Sequence, residues 1–237
     1  KIFVDTTGHI EVVTGGASLG QGFETAMAQI CADALGADYR KINVVHGRTD
    51  RIDYGVGAHA SRASVLTGSA VNATALAVRK KALETAAELL QMRAEDLTIS
   101  RGVVHQKSNS EGPSLSLGEI AEALLPTAKE RGKKVPYLAA EEWFNIDHQT
   151  YPYGHHICAV KVDPETGGVE IEKYFIAYDI GRSINPMLVD GQLVGGLAQG
   201  LGGSLFEEFC YDAEGQPLSV PFADYLIPTM HEVPKPE

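Results

Sequence analysis

Apolar and polar residues alternate over residues 2–14, IFVDTTGHIEVVT, with Thr7-Gly8-His9 midway, so this stretch predicts a β-hairpin. Residues 15–22, GGASLGQG, keep neither period and predict a glycine-rich loop. Helical spacing follows from Glu24 through Ala28, Ile30, Ala34 and Leu35, with Gly36 placed to end the helix. Residues 42–46 return to a strand, and residues 47–60, GRTDRIDYGVGAHA, predict a second loop. A long Ala-, Leu- and Val-rich helix is expected over 61–92, with Gly68 as its weak point.

Two short strands are expected at 97–100 and 103–106, then a polar surface loop at 107–113. A short helix at 117–125 is capped by Ser116, and residues 126–136 form another loop. The second half opens with a long hairpin, HHICAVKVD and VEIEKYFIAYDI, joined by the turn PETGG. A second glycine-rich entry, GRSINP, leads into MLVDGQLVGGLAQGLGGSLFEEFCYD. Leu188, Val189, Leu193, Leu197, Leu201 and Leu205 keep helical spacing there although six glycines interrupt them. Each costs about 1 kcal/mol against Ala, so a close approach of backbone or ligand is expected. Both halves read as strands, a Gln-bearing glycine loop and a helix. The fold class expected is α+β, built from two related hairpin/helix halves, 1–140 and 141–237.

The 237 residues suffice for one large domain or two smaller ones. No apolar run approaches the roughly 18 residues that span a bilayer. The net charge of -11 repels phosphates, which excludes general affinity for nucleic acid or anionic lipid. Cys31, Cys158 and Cys210 lie far apart without a CxxC pair, so the reading is of inert buried thiols in a reducing cytoplasm. His155 and His156 are neighbours on a strand and point to opposite faces, and the remaining histidines share no ligand spacing, so no protein-ligated metal is expected. Glu141-Glu142 and Glu207-Glu208 read as solvated pairs, and no G-x-S-x-G nucleophile occurs. No leader pattern stands at Lys1, where strand alternation begins at once, and the chain reads as a piece of something longer.

Gly15 and Gly20 have the spacing of a phosphate-binding P-loop, but Gln21 and Gly22 stand where Lys and Ser/Thr belong. Without those groups the electrostatics of nucleotide hydrolysis are missing. A glycine turn at a helix entry still offers backbone N–H groups to an anion, or it is a plain structural turn. The Gln21 amide both donates and accepts, which suits the edge of a heterocycle, and Gln199 repeats that chemistry. Ser61-Arg62 adds a hydroxyl and a fork-shaped cation. Together these groups suit a large polar ligand with one anionic end; singly each reads as a cap, a solvated amide or a surface cation.

Five segments, GASLGQGFETAMAQICADALG, INVVHGRTD, YGVGAHASRASVLTGSAV, DIGRSINPMLVDGQLVGGLAQGLGGSLFEEFCYD and GQPLSVPFADYLIPT, resemble the C-terminal cofactor-binding region of the molybdenum hydroxylases, the xanthine oxidase and aerobic carbon monoxide dehydrogenase superfamily. The resemblance implies an oxidoreductase that hydroxylates a carbon centre with water-derived oxygen and passes electrons through 2Fe-2S clusters to FAD. It implies molybdopterin, or its cytosine dinucleotide form, carrying molybdenum with no protein side chain as metal ligand. By motif, Gly20, Gln21 and Gly22 resemble the loop near the dithiolene, Ser61 and Arg62 the segment holding the pterin and its phosphate, and Gln199 and Gly200 a second glutamine site beside the metal. Ala63 stands where relatives often have Ser. The family's catalytic Glu lies in a G-x-G-E segment, and Gly55-Val56-Gly57-Ala58 lacks the acid. The chain alone is therefore expected to be inactive and cofactor-free, a part of a large subunit that joins 2Fe-2S and FAD partners in a dimer. The alternative is a non-catalytic binding or scaffold module that keeps the fold without the cofactor. The substrate is not readable from these residues.

Overall fold

In the computed structural model, which describes residues 1–55, 57–126, 137–148 and 150–237, the chain divides into two compact units, Lys1–Tyr151 and Pro152–Glu237. The architecture mixes helices with separate sheets.

In the first unit the predicted hairpin forms from β1 (Ile2–Val4) and β2 (Ile10–Val13), paired antiparallel, with Ile2, Val4, Ile10 and Val12 buried on one face. Asp5 closes the turn by accepting from the backbone N–H groups of Thr7 and His9. α1 (Phe23–Leu35) follows the glycine loop and ends at Gly36, whose φ of 85° is left-handed. A Cβ on Gly36 would also lie 2.5 Å from the Ile99 carbonyl oxygen. β3 (Ile42–Val45) then pairs parallel with β2, so β2, α1 and β3 make one β-α-β crossover, a connection the alternation alone did not predict. The short β7 (Ala139–Ala140) pairs with β1 and completes the sheet order β3-β2-β1-β7.

The expected long helix is divided. Residues Ala63–Thr67 form a wide π-helical turn, and α2 (Gly68–Leu90) continues from Gly68, the position the sequence marks as weak. Val71, Ala75, Val78, Ala82 and Ala86 form its buried stripe against α1 and the sheet. Arg79 fastens α2 to the end of α1 by donating to the Leu35 carbonyl at 2.8 Å.

A second sheet consists of β4 (Leu97–Ser100), β5 (Val103–Gln106) and β6 (Asn109–Ser116), all antiparallel. β6 corrects the expected surface loop at 107–113. It is an edge strand whose register shifts beside Gln106, so Gly112 and Pro113 fit without a continuous ladder. α3 (Leu117–Ala123) begins as expected at Ser116, in a reciprocal capping box with Glu119. The loop expected at 126–136 lies, from 127 on, outside the described residues.

The second unit contains the long hairpin β8 (Tyr153–Val162) and β9 (Val169–Asp179), turned around Asp163. α4 (Pro186–Leu201) is capped by Asn185, which accepts from the Leu188 N–H, and passes into a π-helical turn at Gly202–Phe206. Leu197 and Leu201 are its buried apolar residues, while Ile157, Val160, Phe209 and Phe222 are exposed. Cys158 and Cys210 are exposed as well, which corrects the expectation of three buried thiols; Cys31 alone is buried. Glu207 is half-buried instead of solvated, because its carboxylate accepts from the Tyr225 hydroxyl at 2.6 Å and packs against Gly202.

Candidate functional site

The glycine loop at 15–22 leaves the carboxyl end of β2, and the second loop leaves the carboxyl end of β3 beside it, because the two strands are parallel. In open α/β arrangements this sheet end is where ligands settle. Two contacts bind the loops together. The Gly57 N–H donates to the Gly15 carbonyl at 3.3 Å, and a Cβ on Gly15 would lie 2.6 Å from the Tyr54 carbonyl oxygen. Gly16 packs under the Phe23 ring and beside Thr67, which leaves no room for a side chain.

Gly20 and Gly22 both have left-handed φ, 93° and 77°, and Gly22 is the N-cap of α1. No side chain caps that helix end. The Gln21 amide is committed inside the loop: its Oε1 accepts from the Leu19 N–H at 2.6 Å and its Nε2 donates to the Ala17 carbonyl at 3.1 Å. It therefore shapes the turn in this conformation and does not present a free edge. Glu24, one turn further, accepts from the Ser18 hydroxyl at 2.8 Å and from His46 Nε2 at 2.9 Å. Its own backbone N–H, then Ser18, then His46 hold its carboxyl below the usual range.

Ser61-Arg62 does not open the helix as a cap. Ala60 and Ser61 are both left-handed, at φ 54° and 52°, and helical geometry starts after Arg62. Non-glycine residues in that region cost about 1–3 kcal/mol each. The Arg62 Nε is buried and, among the described residues, has no hydrogen-bond partner, which costs about 1–3 kcal/mol more. Arg62 also lines two neighbouring cavities. One, about 390 Å³, has Thr14, Gly15, Tyr54, Thr67 and Trp143 on its walls. The other, about 310 Å³, has Leu66, Asn145, Asp147, His148 and Thr150. The structure thus brings the glycine loop at Gly15 and the Arg62 segment onto one cavity, while Gln21 stands outside it. Gln199 and Gly200 lie exposed on α4 in the second unit.

Sequence reasoning missed Glu24 and His46, which are 22 residues apart and meet only through the β-α-β crossover. It also passed over Trp143 and Asn145, which no local motif marks. Among the described residues no group of three or more His, Cys, Asp or Glu is placed to hold a metal ion, and no helix is long and apolar enough to cross a membrane.

Comparison with known proteins gives this arrangement its context: the molybdopterin cofactor-binding domain family matches residues 1–234. The chain belongs to that family. This molybdopterin cofactor-binding domain is 40% identical over 231 residues, 98% of its length, to the 6-hydroxypseudooxynicotine dehydrogenase complex subunit gamma of Paenarthrobacter nicotinovorans, and covers 29% of it. It is 32% identical over 235 residues, 99% of its length, to the carbon monoxide dehydrogenase large chain of Afipia carboxidovorans, again covering 29% of that protein. It superimposes on the solved carbon monoxide dehydrogenase from Oligotropha carboxidovorans with a TM-score of 0.82 and 32% identity, over 100% of this chain and 29% of the other. The cofactor-binding domain described here thus spans less than a third of the relatives it matches.

Proposed function

We propose that this chain forms one wall of the molybdopterin pocket in the large subunit of an oxidoreductase that oxidises a small carbon substrate with water-derived oxygen. The observation that carries the reading is Arg62, a half-buried arginine whose buried Nε is unsatisfied, at the end of a strained segment and on a cavity shared with Gly15 of the glycine loop. Such costs are retained where a ligand offsets them, and a phosphate-bearing pterin supplies the missing acceptor. The groups suit molybdopterin, including its cytosine dinucleotide form: Ser61 and Arg62 would hold the pterin and its phosphate, and the Gly20-Gln21-Gly22 turn would stand near the dithiolene end. When bound, the group supplies the molybdenum centre that takes up the substrate's electrons. The chain's own residues bind, orient and exclude water. Gln199 and Gly200, in the second of the two related strand, loop and helix arrangements, are proposed as cofactor-binding residues as well.

The rest of the large subunit would complete the pocket and bring the catalytic Glu, with 2Fe-2S and FAD partners and a dimeric assembly. The relatives named above act on different molecules, so the substrate is left open. Alone, this chain would hold no cofactor and turn nothing over.

The test is metal analysis of the protein as its gene encodes it, made in a host that synthesises the cofactor. Wild type should carry molybdenum, and Arg62→Met should lower its content about tenfold, the loss of one charged hydrogen bond. Cofactor-free Arg62→Met should be at least as stable as wild type, because a buried unpaired donor is removed. Wild-type protein without molybdenum would instead support the scaffold module.

A further inference from the structure

We propose that Glu24 is a positioning residue: its carboxylate fastens the 17–22 loop to the end of β3 and so holds the Gly20-Gln21-Gly22 turn in shape, a role that rests on the proposed cofactor site. The Gln21 bonds to Leu19 and Ala17 stay within the loop, so they close it without anchoring it. Glu24 reaches in two directions. One carboxylate oxygen takes the Ser18 hydroxyl from the loop at 2.8 Å, and the other takes His46 Nε2 at 2.9 Å. His46 directly follows β3, and its ring stands edge-on to Phe23 with centroids 5.7 Å apart. Strand, helix entry and loop therefore meet at one carboxylate.

The loop needs this anchor because Gly22 caps α1 without a side chain, and Gly20 has nothing within 4 Å of where a Cβ would stand. An approaching ligand can take the Gln21 amide only by breaking its two internal bonds. With the Ser18–Glu24–His46 tie intact, the turn keeps its place when they break.

The experiment measures amide hydrogen-exchange protection of residues 17–22 in the complete protein, with and without cofactor, together with molybdenum content. Glu24→Ala should lower loop protection about tenfold or more, and the milder Ser18→Ala about fivefold. Glu24→Gln should fall between wild type and Glu24→Ala, because its amide oxygen still accepts from Ser18 while its amide nitrogen cannot accept from His46 Nε2. Wild-type loop protection in Glu24→Ala and Ser18→Ala overturns the inference. Lowered protection with full molybdenum content supports the tie and counts against the cofactor site, so the two claims fail separately.

Discussion

At Gly15 a Cβ would lie 2.6 Å from the Tyr54 carbonyl oxygen, whereas at Gly191, Gly195, Gly196 and Gly200 on α4 it would meet nothing within 4 Å among the described residues. Both passages are glycine-rich, one at the entry to a helix and the other within one, yet only in the first do close neighbours require the glycine. The same contrast runs through the burial. The first unit closes a core around Ile2, Met27, Leu35, Val78 and Ile120, while the second leaves Ile157, Val160, Phe209 and Phe222 in the open. Among the described residues, the α4 glycines have no neighbour that requires them and these apolar residues none that covers them. The relatives are more than three times as long as this chain.

The largest expected effect separates the two cores. Ile120 is 0% exposed and Ile157 64%. Ile120→Ala should lower the stability of this chain by about 2–5 kcal/mol in urea denaturation. Ile157→Ala should change it by less than about 0.5 kcal/mol. In the complete protein Ile157→Ala should become costly. Equal, small costs there would break the comparison by showing that nothing covers the hairpin.

A smaller effect distinguishes the glycines. Gly15→Ala drives a methyl into backbone, which does not yield, and should cost about 1–3 kcal/mol. Gly195→Ala fills open space inside a helix and should stabilise this chain by about 0.5–1 kcal/mol. In the complete protein the sign should reverse if a segment or ligand lies against α4, and an unchanged gain would show that the glycines are idle.

Where a signal was local, the sequence carried it. The alternation of Ile2, Val4, Ile10 and Val12, the left-handed stop at Gly36, the Ser116 cap and the turn at Asp163 each act within a few residues. β6 was illegible because an edge strand needs no apolar alternation, and Gly112 with Pro113 argued for a loop. The π turn before α2 was invisible too, although Gly68 marked the joint. Of the candidate site, the glycine loop and the Ser61-Arg62 pair were found by motif, and the structure sets Gly15 and Arg62 on one cavity. What motif could not say is that Gln21 is already satisfied, or that Glu24 and His46 meet, since both depend on how β2 and β3 are brought side by side.

The three thiols offer the gentlest probe of the contrast, because labelling them leaves the fold in place. Cys31 sits on the buried side of α1, where desolvation pushes its pKa up to about 12, so at neutral pH almost none is thiolate and the sulfur is out of reach. Cys158 on β8 and Cys210 after the α4 turn are exposed. Native alkylation at about pH 8 should modify Cys158 and Cys210 within minutes and Cys31 only as the first unit unfolds, at least about a hundredfold more slowly. Repeated on the protein as its gene encodes it, the labelling reports cover directly: a second-unit thiol that slows is covered there. Fast reaction of Cys31 in the folded chain would mean that the first unit opens as readily as the second, and the contrast between them would fail.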